Sequence, residues 1–382
     1  MKCTLLLIGL CAAILPRAAL AQEAGQSLNA QVDKVIDDLD FSGIEPLDLP
    51  GIGHGMSVEA VVRALANGEM LSGEDCVAWV LGAFFDELSG FGALMFSIML
   101  PVLLSGFLMQ MISSNRQSMI QLARSMCFMV ILIPVVQLVF SQLDHARETI
   151  TIMTQRMDKL LPLLLTLLTA LGGSASSAFL HPVVVAASGS MVFLAREITL
   201  RLVMCTCAVT AINHLSDRAH LTRMAQLLRS AVCWLLGVSF TVFLGAMSMQ
   251  GVCSASIDGV MLRAAKYAVD NFVPVVGGMF SDTMDTLVGG TLIVKNALGV
   301  TAVIALLGAL LGPMMQTLAA VFVLKLSAAL LEPVAQEEIV RAIGDFSRTI
   351  VLFLITMLCV GTMYFLLIVQ LLLVGNLTSM LR

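Results

Sequence analysis

From residue 91 onward, long apolar runs follow one another, bounded by short polar stretches in the manner of membrane spans. Phe91 to Ile112 is the first, with Pro101 as an internal kink, and Ser125 to Leu143 the second, with a central Pro134. Leu160 to Ala195 is too long for one span; Gly172-Gly173-Ser174 and His181-Pro182 interrupt it, as in an interrupted span or a hairpin of two short helices. Ile198 to Asn213 is short and contains Arg201, while Ala231 to Met249 is clean, with Trp234 near one end as an interfacial anchor. Ala297 to Leu331 is again long and divides at Gly312-Pro313, and Ile350 to Val374 is the last. The pattern predicts an all-α polytopic integral membrane bundle of about seven to nine spans, some broken or hairpin-like.

Two regions break the pattern. Residues 250 to 296 interleave Arg263, Lys266 and Asp270 with apolar residues at helical spacing, and then place Pro274, Gly277-Gly278 and Gly289-Gly290 as breakers. That reads as an amphipathic, glycine-rich segment lying in the interface or against other spans. The N-terminus differs again. Lys2, the apolar core Leu5 to Leu15 and the small-x-small run Ala19-Leu20-Ala21 read as a secretory signal cleaved after Ala21, its core too short to span a bilayer. The expected organisation is therefore a signal at 1–21, an extracytoplasmic segment at 22–90, spans at 91–249, the interfacial segment at 250–296 and further spans at 297–382.

Composition agrees with the pattern. Of 382 residues, 58% are hydrophobic and 12% charged, about half the ~25% charged share of soluble domains. An ordinary cytosolic enzyme, a disordered chain and a fibre are excluded, and a formal charge of −5 speaks against a nucleic-acid binder. The charge is uneven. Residues 22–90 hold thirteen acids against two bases, whereas 91–382 hold thirteen acids against seventeen bases. The loops 113–124 (Arg116, Arg124) and 214–230 (Arg218, Arg223, Arg229) are rich in arginine and should face the cytoplasm. The stretches 144–159 and 332–349 balance or exceed their bases with acids and are expected on the opposite side. An even number of crossings between the two basic loops then favours the hairpin at 160–195.

Chemistry is sparse. None of the lysines after the signal (34, 266, 295, 325) follows a glycine, so no phosphate-binding loop is present, and there is no HExxH. Ala186-Ala187-Ser188-Gly189 and Ala342-Ile343-Gly344-Asp345 each lack the first glycine of an intramembrane protease motif. The nine cysteines fall mostly in apolar runs, with no CxxC pair, and act as small hydrophobes. No cofactor, metal or catalytic residue is expected. The groups of interest are charges within spans: Arg201, four residues after Glu197, and Lys325, with Glu332 seven residues on. Each could mark a hydrated path or an inter-helix ion pair, or be a long side chain snorkelling to the interface. Gly308 to Gly312 is a GxxxG suited to close packing.

One segment carries more. Lys266-Tyr267-Ala268-Val269-Asp270-Asn271-Phe272-Val273-Pro274-Val275-Val276-Gly277-Gly278, then Asp282 and Asp285, then Lys295-Asn296-Ala297-Leu298-Gly299, resembles the signature region of the stage III sporulation protein AE family. The order of signal, acidic segment, spans and glycine-rich segment is similar too. The resemblance implies a non-enzymatic membrane subunit of the channel complex joining mother cell and engulfed forespore in an endospore-forming bacterium. It also implies the mother-cell membrane as location and the other membrane proteins of the stage III complex as partners, beside the lipid bilayer, with no nucleic acid and no small-molecule substrate identified. A stand-alone secondary transporter is the alternative, since broken helices suit one; the two broken regions show no convincing internal repeat.

Overall fold

The computed structural model describes residues 47–49, 53–56, 82, 85, 88–111, 117–171, 174–215, 221–272, 277–333, 335 and 337–380, with the backbone alone at 47–49, 53–56, 94, 105–111, 117–125, 127, 174–176, 179–180, 250–288 and 377–380. Ala21, Cys76 and the signal segment therefore lie outside the described residues. A short antiparallel pair, β1 (Leu47–Leu49) and β2 (Gly53–Met56), precedes an otherwise helical chain. The helices are α1 (Gly92–Met111), α2 (Gln117–Ala170), α3 (Ser174–Phe193), α4 (Leu200–Leu215), α5 (Thr222–Phe272), α6 (Gly277–Leu331) and α7 (Glu337–Met380). A π-helical turn, Leu194–Thr199, joins α3 to α4 without a break.

The helix count is lower than the apolar runs suggest. Among the described residues five stretches are long and apolar enough to cross a membrane: Phe128–Ala170, His181–Leu215, Thr222–Met249, Gly289–Leu331 and Glu337–Asn376. A count of seven to nine is not confirmed among the described residues, where signals read as breaks are absorbed into continuous helices. Pro134, Pro162, Pro182 and Pro313 all lie inside helices, and Gly289-Gly290 lies within α6. A proline removes one backbone donor, but neighbouring helices and hydroxyl side chains can restore the balance in a bundle. Beside Pro313, the Thr317 hydroxyl lies 2.9 Å from Pro313 O and 2.8 Å from Gln142 Oε1 on α2, which ties this stretch of α6 to its neighbour. The hairpin at 160–195 does occur, with α2 ending at Ala170 and α3 beginning at Ser174.

The most consequential difference concerns 144–159. Its balanced charge suggested a loop, yet it is the middle of α2, a helix of 54 residues and so about 80 Å long. Apolar residues recur there at helical spacing, and Ala146, Ile150, Met153, Met157 and Leu160 are buried. α2 lies antiparallel to α6, since Gln142 meets Thr317 whereas Arg156 meets Ala305. α6 and α7 are also antiparallel, with Gly299 against Leu372 and Gly361 against Leu310. A Cβ on Gly299 would overlap the Leu372 side chain, and one on Gly361 would stand 2.8 Å from Leu310 Cδ2, so both glycines serve close packing.

One core runs through the bundle, built mainly from α2, α6 and α7; Ile350, Phe353, Met357, Leu367 and Val374 of α7 are wholly or almost wholly buried. α5 packs on α7 from the other side, where Phe243 shares a small apolar cavity with Val360, Met363 and Tyr364. Outward-facing residues are often large and apolar, including Met126, Ile133, Phe193, Trp234, Val242 and Met249. A surface of that kind is suited to lipid.

Candidate functional site

Polar groups gather at three depths of the bundle. At one end, Asp345 near the start of α7 collects three basic side chains. His214 Nε2 of α4 lies 3.1 Å from its Oδ2, and Arg229 of α5 and Arg348 of α7 donate to Oδ1 at 3.3 and 3.4 Å. Arg229 also donates to the Asp345 backbone oxygen at 3.2 Å and reaches Thr210 Oγ1 at 3.4 Å. Asp345 and Arg229 keep only 22% and 16% of their side-chain surface, so the charges are held largely out of water and depend on each other. The Phe128 ring stands 6.2 Å from the His214 ring, which brings α2 to the cluster.

This cluster overturns the sidedness expected of 332–349. Asp345 touches His214 and Arg229, so that stretch lies at the same end as the basic loop 214–230. Acids contribute little to the positive-inside rule, and counting them against Arg341 and Arg348 misplaced the segment. The connections α1–α2, α4–α5 and α6–α7 thus share one end. Among the described residues, Arg223, Arg229, Arg341 and Arg348 lie toward that end.

At mid-depth a polar seam joins α2, α6 and α7. Thr317 bonds Gln142, Gln316 Nε2 lies 3.1 Å from His145 Nε2, Arg156 Nη1 donates to Ala305 O at 2.8 Å, and Tyr364 donates to Thr154 Oγ1 at 3.1 Å. These contacts tie the three helices together, although the buried Gln142 Nε2 finds no partner among the described residues. At the far end Lys295 of α6 is fully buried, and its Nζ donates to Leu372 O at 2.8 Å. Gly375 makes room for it, since a Cβ there would overlap Nζ. α6 and α7 are thereby fixed in register from both sides of Leu372.

The residues singled out in the sequence are thus dispersed. Of the signature segment, Lys295, Asn296 and Gly299 sit on α6, and Lys295 and Gly299 both meet α7 around Leu372. The side chains of Lys266, Tyr267, Asp270, Asn271, Pro274, Gly277, Gly278, Asp282 and Asp285 lie outside those described. Arg201 pairs with Glu197 across one helical turn, with both side chains exposed. Lys325 is exposed within two turns of the end of α6, and Glu332 follows the last helical residue, Leu331. No group of three His, Cys, Asp or Glu side chains suited to a metal is found among the described residues. Read singly, Arg229, His145 and Arg156 look like loop polarity, Asp345 stands out only in an incomplete protease motif, and Gln142 lies unmarked inside the apolar run 125–143. The signal for His145 and Arg156 is the unbroken apolar spacing through 143–161.

A bundle of long apolar helices bonded to one another through buried polar contacts defines a polytopic helical membrane protein. The family model described as Stage III sporulation protein AE matches residues 56–375. The Stage III sporulation protein AE of Bacillus subtilis (strain 168) is 30% identical over 308 residues, covering 80% of this chain and 77% of that protein. No solved structure matches. The chain belongs to the stage III sporulation protein AE family, and is a sporulation-related membrane protein.

Proposed function

We propose that the chain is a non-enzymatic membrane subunit of the channel complex that joins mother cell and engulfed forespore, embedded in the mother-cell membrane around the forespore. The observation that carries the reading is how the polar groups are used. Asp345, Gln142, Arg156 and Lys295 each bond another helix, so they build a rigid bundle whose outer surface is left for lipid and partner proteins. The arginine-rich loops 113–124 and 214–230 face the cytoplasm in this reading, as the positive-inside rule favours. Residues 1–21 then serve as a signal cleaved after Ala21, 22–90 as the translocated acidic segment, and 250–296 as a segment at the side opposite the arginines. The partners are the other membrane proteins of the stage III complex.

Purification in mild detergent from sporulating cells tests this. Stable co-purification with other sporulation membrane proteins, together with arrest after engulfment when the chain is deleted, is the expected result. A lone protein showing saturable solute uptake would overturn it in favour of a secondary transporter.

A further inference from the structure

The outward face of α2 changes character along its length. Met126, Met129, Val130 and Ile133 are exposed near the arginine-rich end. From Asp144 to Lys159 the exposed residues on that same face are Asp144, Arg147, Glu148, Gln155, Asp158 and Lys159. At 100° per residue these six fall within a single sector of the helix, with Thr151 at its centre. The stripe is about 22 Å long, against a hydrocarbon core of about 30 Å.

Its depth is fixed by the seam on the opposite side of the helix. Gln142, His145, Thr154 and Arg156 contact Thr317, Gln316, Tyr364 and Ala305, which lie in the middle of the apolar lengths of α6 and α7. Tyr364 in turn lines the small cavity that Phe243 of α5 enters. Thr154 on α2 and Phe243 on α5 are therefore at one depth. The residue next to Phe243, Val242, is exposed and apolar; the residue next to Thr154, Gln155, is exposed and belongs to the charged stripe. Five charged side chains on one face at that depth are not tolerated against lipid, and such groups face water or protein instead.

We infer that the 144–159 face of α2 is wetted inside the membrane, and forms one wall of an aqueous passage. It carries both signs, three acids and two bases, with Arg147 beside Glu148 and Lys159 beside Asp158. A wall carrying both signs holds a hydration layer without selecting strongly for cations or anions, and so suits small hydrated polar solutes. The inference needs only that the bundle is inserted in a membrane, and is independent of which proteins partner it.

Thiol accessibility in native membranes of the full-length chain is the test. Cysteine is placed singly at Gln155, at Thr151 and at Val242, and opened vesicles are treated with a small, permanently charged methanethiosulfonate reagent, the parent chain giving the background from its own cysteines. Gln155→Cys and Thr151→Cys should be modified at least about tenfold faster than Val242→Cys, because the reactive thiolate forms in water and is suppressed in apolar surroundings. Equal, slow modification at all three would overturn the inference; oxidative cross-linking between copies at Gln155→Cys would then identify a second copy of the chain as what covers the face. Equal, fast modification at all three would also overturn it, by placing this depth in bulk water outside the bilayer. Two stripe positions guard against misfolding at one of them, and co-purification of partners is scored separately.

Discussion

Two helix faces at the same depth meet different surroundings. On α5 the exposed residues are Trp234, Val238, Val242 and Met249; on α2, level with them through Tyr364, they are Glu148, Gln155, Asp158 and Lys159. Both helices qualify as spans by length and average hydropathy. The averages agree because α2 is apolar at both ends and on its inner face, where Ile150, Met153 and Met157 are buried. An average over a span therefore reports that a helix can enter the bilayer, whereas the polarity of its outward face reports what it meets there.

The largest effect comes from exchanging the two surroundings. Val242→Lys places a charge on the lipid-facing side at mid-depth, and should cost about 2.5–3.5 kcal/mol of insertion free energy. Gln155→Lys adds the same charge to a wetted stripe and should cost under about 0.5 kcal/mol. Steady-state membrane-inserted protein for the two variants gives the comparison directly. Equal losses would dissolve it.

The comparison also depends on α5 and α7 keeping their relative depth, which the Asp345 cluster fixes. Asp345→Ala strands Arg229, 16% exposed, without its main counter-charge, and should destabilise the bundle by about 2 kcal/mol, less than a fully buried pair because water still reaches the site. A thermal melt in detergent measures it. In a double-mutant cycle the loss should be markedly smaller when Arg229→Ala is already present.

The register of α6 on α7 is the other support. Gly375→Ala forces a methyl group onto the buried Lys295 Nζ, and should cost about 1–3 kcal/mol in the same melt. Gly312→Ala has open space around it, and should be neutral or stabilising by up to about 1 kcal/mol through helix propensity. If both glycines behaved alike, the close approach at Lys295 would not be what sets the register.

The all-helical membrane class and the positions of most spans were legible in the sequence, since runs such as Ile350 to Val374 admit no other reading. The hairpin at 171–173 was legible too, from glycine and from the parity that the basic loops demand. The continuity of α2 was not, because charges on its outward face outweighed the apolar spacing of Ala146, Ile150, Met153 and Met157. Nor was the join through Pro313, where α6 continues as one helix packed against α2 through the Thr317–Gln142 contact, a tertiary contact that one segment of sequence does not reveal. Lys295 was found through resemblance alone; its burial and its bond to Leu372 O depend on Gly375, eighty residues away in the chain. The Asp345 cluster was hidden for a related reason, its partners being distributed over three helices.

The smallest expected effect concerns the exposed Glu197–Arg201 ion pair on the bundle's apolar outside, and it sharpens the contrast with α2. Arg201 and Glu197 pair on a surface that also exposes Phe193, Ile198 and Ile212. In lipid a neutral pair is tolerated and a lone charge is not, whereas in water neither change matters. Glu197→Gln should therefore cost about 1 kcal/mol of insertion, moderated by snorkelling of the arginine stem. The double replacement Glu197→Gln with Arg201→Gln should cost under about 0.5 kcal/mol. The corresponding changes on α2, Glu148→Gln alone and together with Arg147→Gln, should both be near zero, because water already screens each charge. If the α2 pair showed the same single-versus-double difference as Glu197 and Arg201, the two faces would share one environment and α2 would have no wetted side.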